Sequence, residues 1–123
     1  MDIIKSNFLA CDNSFIGELH ERGFFSETLF DELINQIIFL IKNTNNSNLD
    51  DYKSNVIHLF EIYSFTLKVF LCHHQKDDLY EIKNYKTKFD NIYLYRLEFV
   101  IKSFLNFDYL SILNYEDELG KII

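Results

Sequence analysis

The stretch NSFIGELHERGFFSETLFDELINQIIFLIK, residues 13–42, decides the fold. Ser14 is placed to cap a short helix by accepting from an N–H of its first turn. Gly23 is placed to end that helix in the left-handed conformation that glycine adopts without steric cost. Ser26 then opens a second helix running to about Lys42, in which Phe30, Leu33, Ile34, Ile37 and Ile41 recur at helical spacing and face inward. Two capped amphipathic helices joined through a glycine exit predict an all-α chain.

The remaining sequence extends that pattern. There is no proline and only three glycines, so long helices meet no chemical breaker. The tract NTNNSNLDD, 43–51, reads as a loop whose side chains compete with helical hydrogen bonds, with Asp50 or Asp51 as the next N-cap. A third helix is expected over about 51–74, burying Val56, Phe60, Tyr63, Leu67, Phe70 and Leu71, with Leu59, Ile62 and Val69 widening the face. A shorter element is expected over 78–85, with Asp78 and Glu81 in capping-box spacing. Thr87 opens a further long helix, 88–107, that buries Phe89, Ile92, Tyr93, Leu97, Val100 and Phe104. Asn91, Tyr95, Glu98, Lys102 and Asn106 take its opposite side, with Glu98 and Lys102 in the favourable i,i+4 order. The tail adds a last short helix before Gly120. Strand alternation and hairpin dipeptides are lacking. The expected architecture is one all-α domain over 1–123, a single compact bundle of five or six largely antiparallel helices.

Composition bounds the function. With 48% hydrophobic and 25% charged residues, 123 residues are enough for one core burying roughly two thirds of the unfolded chain's surface. The surplus of Phe, Tyr, Ile, Asn and Lys follows from an AT-rich coding genome and carries no functional signal. The net charge is −7, and residues 1–61 hold ten acidic against four basic side chains. Such a surface repels phosphate backbones, so no direct nucleic-acid partner is expected. Cys11 and Cys72 form no disulfide-dense pattern, and the N-terminus MDIIKSNF lacks signal-peptide character. The sequence reads as cytoplasmic, with no membrane partner.

Chemical motifs are scarce. His20 and Glu21 begin like a zinc-protease HExxH, but Phe24 stands where the second histidine belongs. No glutamate has a histidine three residues on, which removes the di-iron bundle pattern. Cys72, His73 and His74 are consecutive, so on a helix they point about 100° apart and do not share one ion. His58 and Glu61, three apart, make either a ligand or general-base pair or a solvated ion pair. No catalytic residue, cofactor or metal ligand is assigned.

A binding surface is the better-supported reading. In the first helix Phe15, Ile16 and Leu19 face one way, leaving Glu18 and Glu21 outward. In the second, Asp31, Glu32 and Asn35 look out and Phe39 falls on their side. With Glu27, Asp50 and Asp51 these form a candidate acidic patch able to steer a basic partner, and an exposed Phe39 would supply an interface anchor. The ordinary alternatives are that the charges are a solvated face and that IIFLI, 37–41, is buried all round. Tyr95 poses the same choice on the later helix.

The combination NSFIGELHERGFFSETLFDELINQI, 13–37, resembles immunity proteins of bacterial polymorphic toxin systems, of the contact-dependent growth inhibition type. The likeness covers about residues 7–41 closely and the rest in size, acidity and helical content. It implies a small cytoplasmic protein, not an enzyme, that binds the C-terminal toxin domain of its cognate effector and blocks it. Many such toxins are nucleases with basic surfaces, for which carboxylates take the place of phosphates. Two other readings stay open: a phage or mobile-element inhibitor of a host nuclease, and a metal-dependent helical enzyme using His58, Glu61 and Cys72 or His74.

Overall fold

A computed structural model describes residues 2–43, 48–74, 82–83 and 90–114. The described residues form five helices, α1 (Ile3–Phe8), α2 (Phe15–Arg22), α3 (Glu27–Lys42), α4 (Leu49–His74) and α5 (Asp90–Leu105), and a last helical segment over 109–114. They make an all-α bundle, and among the described residues there is no strand, only an isolated bridge between Phe24 and Lys83.

The caps of α2 and α3 behave as the sequence indicates. Ser14 Oγ accepts from Gly17 N at 2.9 Å, and Ser26 Oγ accepts from Leu29 N at 3.2 Å, each satisfying a first-turn donor. Gly23 ends α2 at φ 60°, ψ 33°. Helix α4 begins earlier than expected: Asn48, not Asp50 or Asp51, is the cap, its Oδ1 accepting from Asp51 N at 2.8 Å. Asn has the better geometry because it precedes the first turn, while the two aspartates sit inside it and complement the helix dipole. Of the expected element over 78–85 only Ile82 and Lys83 are described, and they are not helical; the rest of it, Thr87 as a cap, the burial of Phe89 and the region around Gly120 lie outside the described residues.

Helix α1 is an addition. Asp2 caps it, accepting from Lys5 N at 2.8 Å, and Ala10 closes it at φ 52°. Cys11 N then reaches back to Ser6 O at 2.9 Å, the six-to-one closure of a Schellman turn. Buried Asn7 ties α1 to α2: its Nδ2 donates to Ile3 O and its Oδ1 accepts from Ile16 N, both at 2.9 Å. A free N–H at the start of α2 is thereby satisfied from a neighbouring helix.

Helix α3 packs against α1, α2 and α5, and α4 packs against the same three. The core between them is aromatic at its centre. Phe15, Phe25, Phe30 and Tyr93 are each at most 1% exposed, and their rings meet largely edge to face at 4.8–5.3 Å. Phe25 and Phe30 flank the α3 cap as N′ and N4 residues and stack at 5.9 Å, a hydrophobic staple that is also core.

Helix α4 buries part of the expected face: Leu59, Ile62, Val69 and Phe70 are buried as expected and Val56 and Tyr63 pack half-buried against the core. Thr66 joins them, but Phe60 is 64% and Leu71 57% exposed and Leu67 is also exposed. The helix is apolar on two sides, and spacing alone does not choose between them. Thr66 is accommodated in the core because its Oγ1 donates to Ile62 O at 2.8 Å. By length and composition α4 is apolar enough to cross a membrane, with a mean hydropathy of 1.3, but its inner side is part of the bundle core. On α5, Tyr93, Leu97, Val100 and Phe104 are buried as expected, Tyr95, Lys102 and Asn106 are exposed, and Lys102 Nζ pairs with Glu98 at 2.9 Å.

Candidate partner-binding face

Helix α3 presents an outer stripe of Thr28, Glu32, Asn35, Phe39 and Lys42, all exposed, at intervals of four and three. These intervals keep one edge of a helix continuous. Phe39 is 56% exposed, so IIFLI is not buried all round: Ile37 and Ile41 enter the core while Phe39 turns outward. An aromatic ring flanked by an amide and a carboxylate is the type of group that anchors protein interfaces. Glu32 also borders a small cleft of about 90 Å³ with Asp12, Asn13 and Ser14 from the α1–α2 connection. Asp12 thereby joins the acidic edge, a placement that depends on the unforeseen α1.

Asp31 and Glu27 lie on the flank of α3 toward α5. Asp31 Oδ1 accepts from Arg96 Nη1 at 3.0 Å, and the arginine side chain is only 11% exposed. Part of the Asp31 charge therefore balances a buried guanidinium inside the fold. Burial, followed by the neighbouring Glu27 and Asp31 carboxylates, pushes the Tyr93 phenol up to about 12, with Arg96 opposing. Its ordinary value lies near 10, so the folded state holds the proton more tightly than the unfolded chain. Stability from this group is complete below pH 10 and declines as pH rises toward 12. Ultraviolet titration is expected to show tyrosine ionisation extending to high pH, with Tyr63 also raised by burial and Glu98, together with alkaline unfolding, and Tyr93→Phe should remove the latest step.

The other expected contributors are dispersed. Glu18 is not outward: its side chain is 14% exposed and sits 3.6 Å from Arg22 Nε. Helix α2 has only two turns and is packed by α1, α3 and α4, which leaves little polar edge. Glu21 is exposed, at 3.7 Å from His20 Nε2. Asp50 and Asp51 are exposed on the first turn of α4, a different helix from the stripe. Glu32, Asn35 and Phe39 share one edge, while Glu18, Glu21, Glu27, Asp31, Asp50 and Asp51 surround or leave it.

The candidate chemical groups also separate. His58 stacks on Phe8 at 4.3 Å. Glu61 instead borders a cleft of about 260 Å³ with His20 and Phe65, a pairing of α2 and α4 that linear spacing does not reveal. His73 Nδ1 accepts from Ile82 N at 3.0 Å, which anchors residues 82–83 beside the end of α4. Lys83 in turn bonds Gly23 O and Phe25 N through its own backbone. Cys72 is half-buried, and the side chain of His74 lies outside the described residues. Among the described residues no group of three or more His, Cys, Asp or Glu is placed to hold a metal ion. Comparison with protein-family models, curated proteins and solved structures finds no match to this chain.

Proposed function

We propose that this chain is an immunity protein of a contact-dependent growth inhibition or similar polymorphic toxin system, acting in the cytoplasm by binding and neutralising a basic toxin domain, a nuclease. The observation that supports this reading most is the α3 edge, where exposed Phe39 stands in line with Asn35 and Glu32 on the acidic half of the chain. Carboxylates steer a basic partner into encounter, and a desolvated aromatic ring holds it. The chain acts as a binding protein, with no catalytic step of its own.

Coexpression with the product of the adjacent upstream gene, followed by pull-down and a toxicity assay, tests the reading. Protection and a stable complex are expected; survival unaffected by this chain would refute it. Within such a complex, Glu32→Lys is expected to slow association several-fold at low salt and flatten its salt dependence. Phe39→Ala is expected to weaken affinity about tenfold to a hundredfold, mainly by faster dissociation. Asp31 is a poorer probe, because reversing its charge also breaks the pair with Arg96.

A further inference from the structure

The outer face of α4 carries Ile57, Phe60, Leu67 and Leu71, exposed by 57%, 64%, 38% and 57%. With Ser64 they follow a spacing of three, four, three and four, the 3.5-residue repeat of a coiled-coil seam. A side chain that only fills its own bundle core has no need of this second stripe. Glu61 and Lys68, both exposed, lie seven residues apart along one edge of the seam, and neither has an ion-pair partner among the described residues. The other edge, Val56 and Tyr63, forms a groove with Ile101 and Leu105 of α5.

We propose that this face joins two copies of the chain, the α4 helices running antiparallel with Leu71 against Phe60, Leu67 against Ser64, and Glu61 against Lys68 of the partner subunit. Charge selects that arrangement. In an antiparallel pair the same edge of each seam meets itself, so one register sets Glu61 opposite Lys68 of the partner subunit twice, once on each side of the two-fold axis. Sliding by one heptad sets Glu61 against its own copy. Parallel pairing sets Glu61 and Lys68 against the Val56 and Tyr63 edge, leaving both charges without partners. The symmetric result is an isologous contact, which closes at two chains.

The area is sufficient. The four side chains leave on the order of 400 Å² of apolar surface per chain, within the range of the largest and often functional patch on a monomer. Burying both copies with the flanking stems of Lys53, Glu61 and Lys68 and with Leu105 reaches about 1,200 Å², the lower range of specific interfaces. A lipid surface fits less well, because a net charge of −7 is repelled by anionic headgroups.

Sedimentation equilibrium of the full chain up to about 100 μM is expected to show a monomer–dimer equilibrium. Phe60→Lys, at a position exposed enough to leave folding intact, is expected to weaken it at least a hundredfold with unchanged helicity. Glu61→Lys or Lys68→Glu alone is expected to weaken it about tenfold, and the double swap to restore it. A chain that is monomeric throughout overturns the proposal, including one that cosediments with phosphatidylcholine–phosphatidylglycerol vesicles. So does a dimer indifferent to Phe60→Lys or one that the double swap fails to restore.

Discussion

Replacing Gly17 by alanine is expected to lower the melting temperature by about 10 °C, although alanine is the better helix former by about 1 kcal/mol. Gly17 lies inside α2, where that preference would ordinarily stabilise. Its Cα, however, faces the end of the α1–α2 connection, and a methyl group built there overlaps the Cys11 carbonyl oxygen. That carbonyl is fixed, accepting from Ser14 Oγ at 2.7 Å and from Ser14 N at 3.2 Å, so it has no free direction in which to retreat. Ser14 Oγ in turn caps Gly17 N, and moving the carbonyl therefore disturbs the cap. Overpacking of this kind costs about 1–3 kcal/mol and more where backbone must shift, which outweighs the propensity gain. Thermal and urea unfolding followed by circular dichroism check it. Gly23→Ala is the useful contrast: φ 60° there imposes a conformational cost of about 1–2 kcal/mol through the backbone itself. A Gly17→Ala protein as stable as the parent would show that α2 does not rest on the Cys11 carbonyl.

How much of this was legible depended on whether the deciding interaction was local. The ends of α2 and the start of α3 were readable because Ser14, Gly23 and Ser26 act within four residues of themselves. Helix α1 was not, since it closes through Ala10 at positive φ, where glycine or asparagine is the usual marker, and much of its fixing comes from Asn7 reaching Ile16. The outward turn of Phe60, Leu67 and Leu71 on α4 was not legible because two apolar stripes share the helix, and only the neighbours choose between them. Thr66 joins the buried side with its hydroxyl donating to Ile62 O. In the candidate face, Glu32, Asn35 and Phe39 were readable as one edge of one helix. Glu18 and Asp31 were not, because Arg22 lies on a short crowded helix and Arg96 comes from sixty-five residues away.

Phe25→Ala is expected to destabilise the chain by about 3–5 kcal/mol, a large part of the 5–15 kcal/mol typical of a folded domain. The residue lies in the two-residue connection between Gly23 and Ser26, a place where a linear reading finds a turn. Its ring is 1% exposed and meets Phe15 of α2 at 5.3 Å, Phe30 of α3 at 5.9 Å, Phe70 of α4 at 6.1 Å and Tyr93 of α5 at 4.8 Å. One side chain outside the helices thus touches four of them, so its removal opens a cavity that no single helix can close by shifting. The connection itself is pinned, Phe25 N donating to Lys83 O at 3.0 Å, which limits collapse further. Phe25→Leu, keeping most of the volume, is expected to lose about 1–1.5 kcal/mol. A double-mutant cycle with Phe30→Ala separates the staple from general burial: the two rings share partners, so their losses should fall short of additivity by about 0.5–1.5 kcal/mol. Additive losses would place the two rings in independent parts of the core, and a loss under about 1 kcal/mol for Phe25→Ala would mean that the ring is not at its centre.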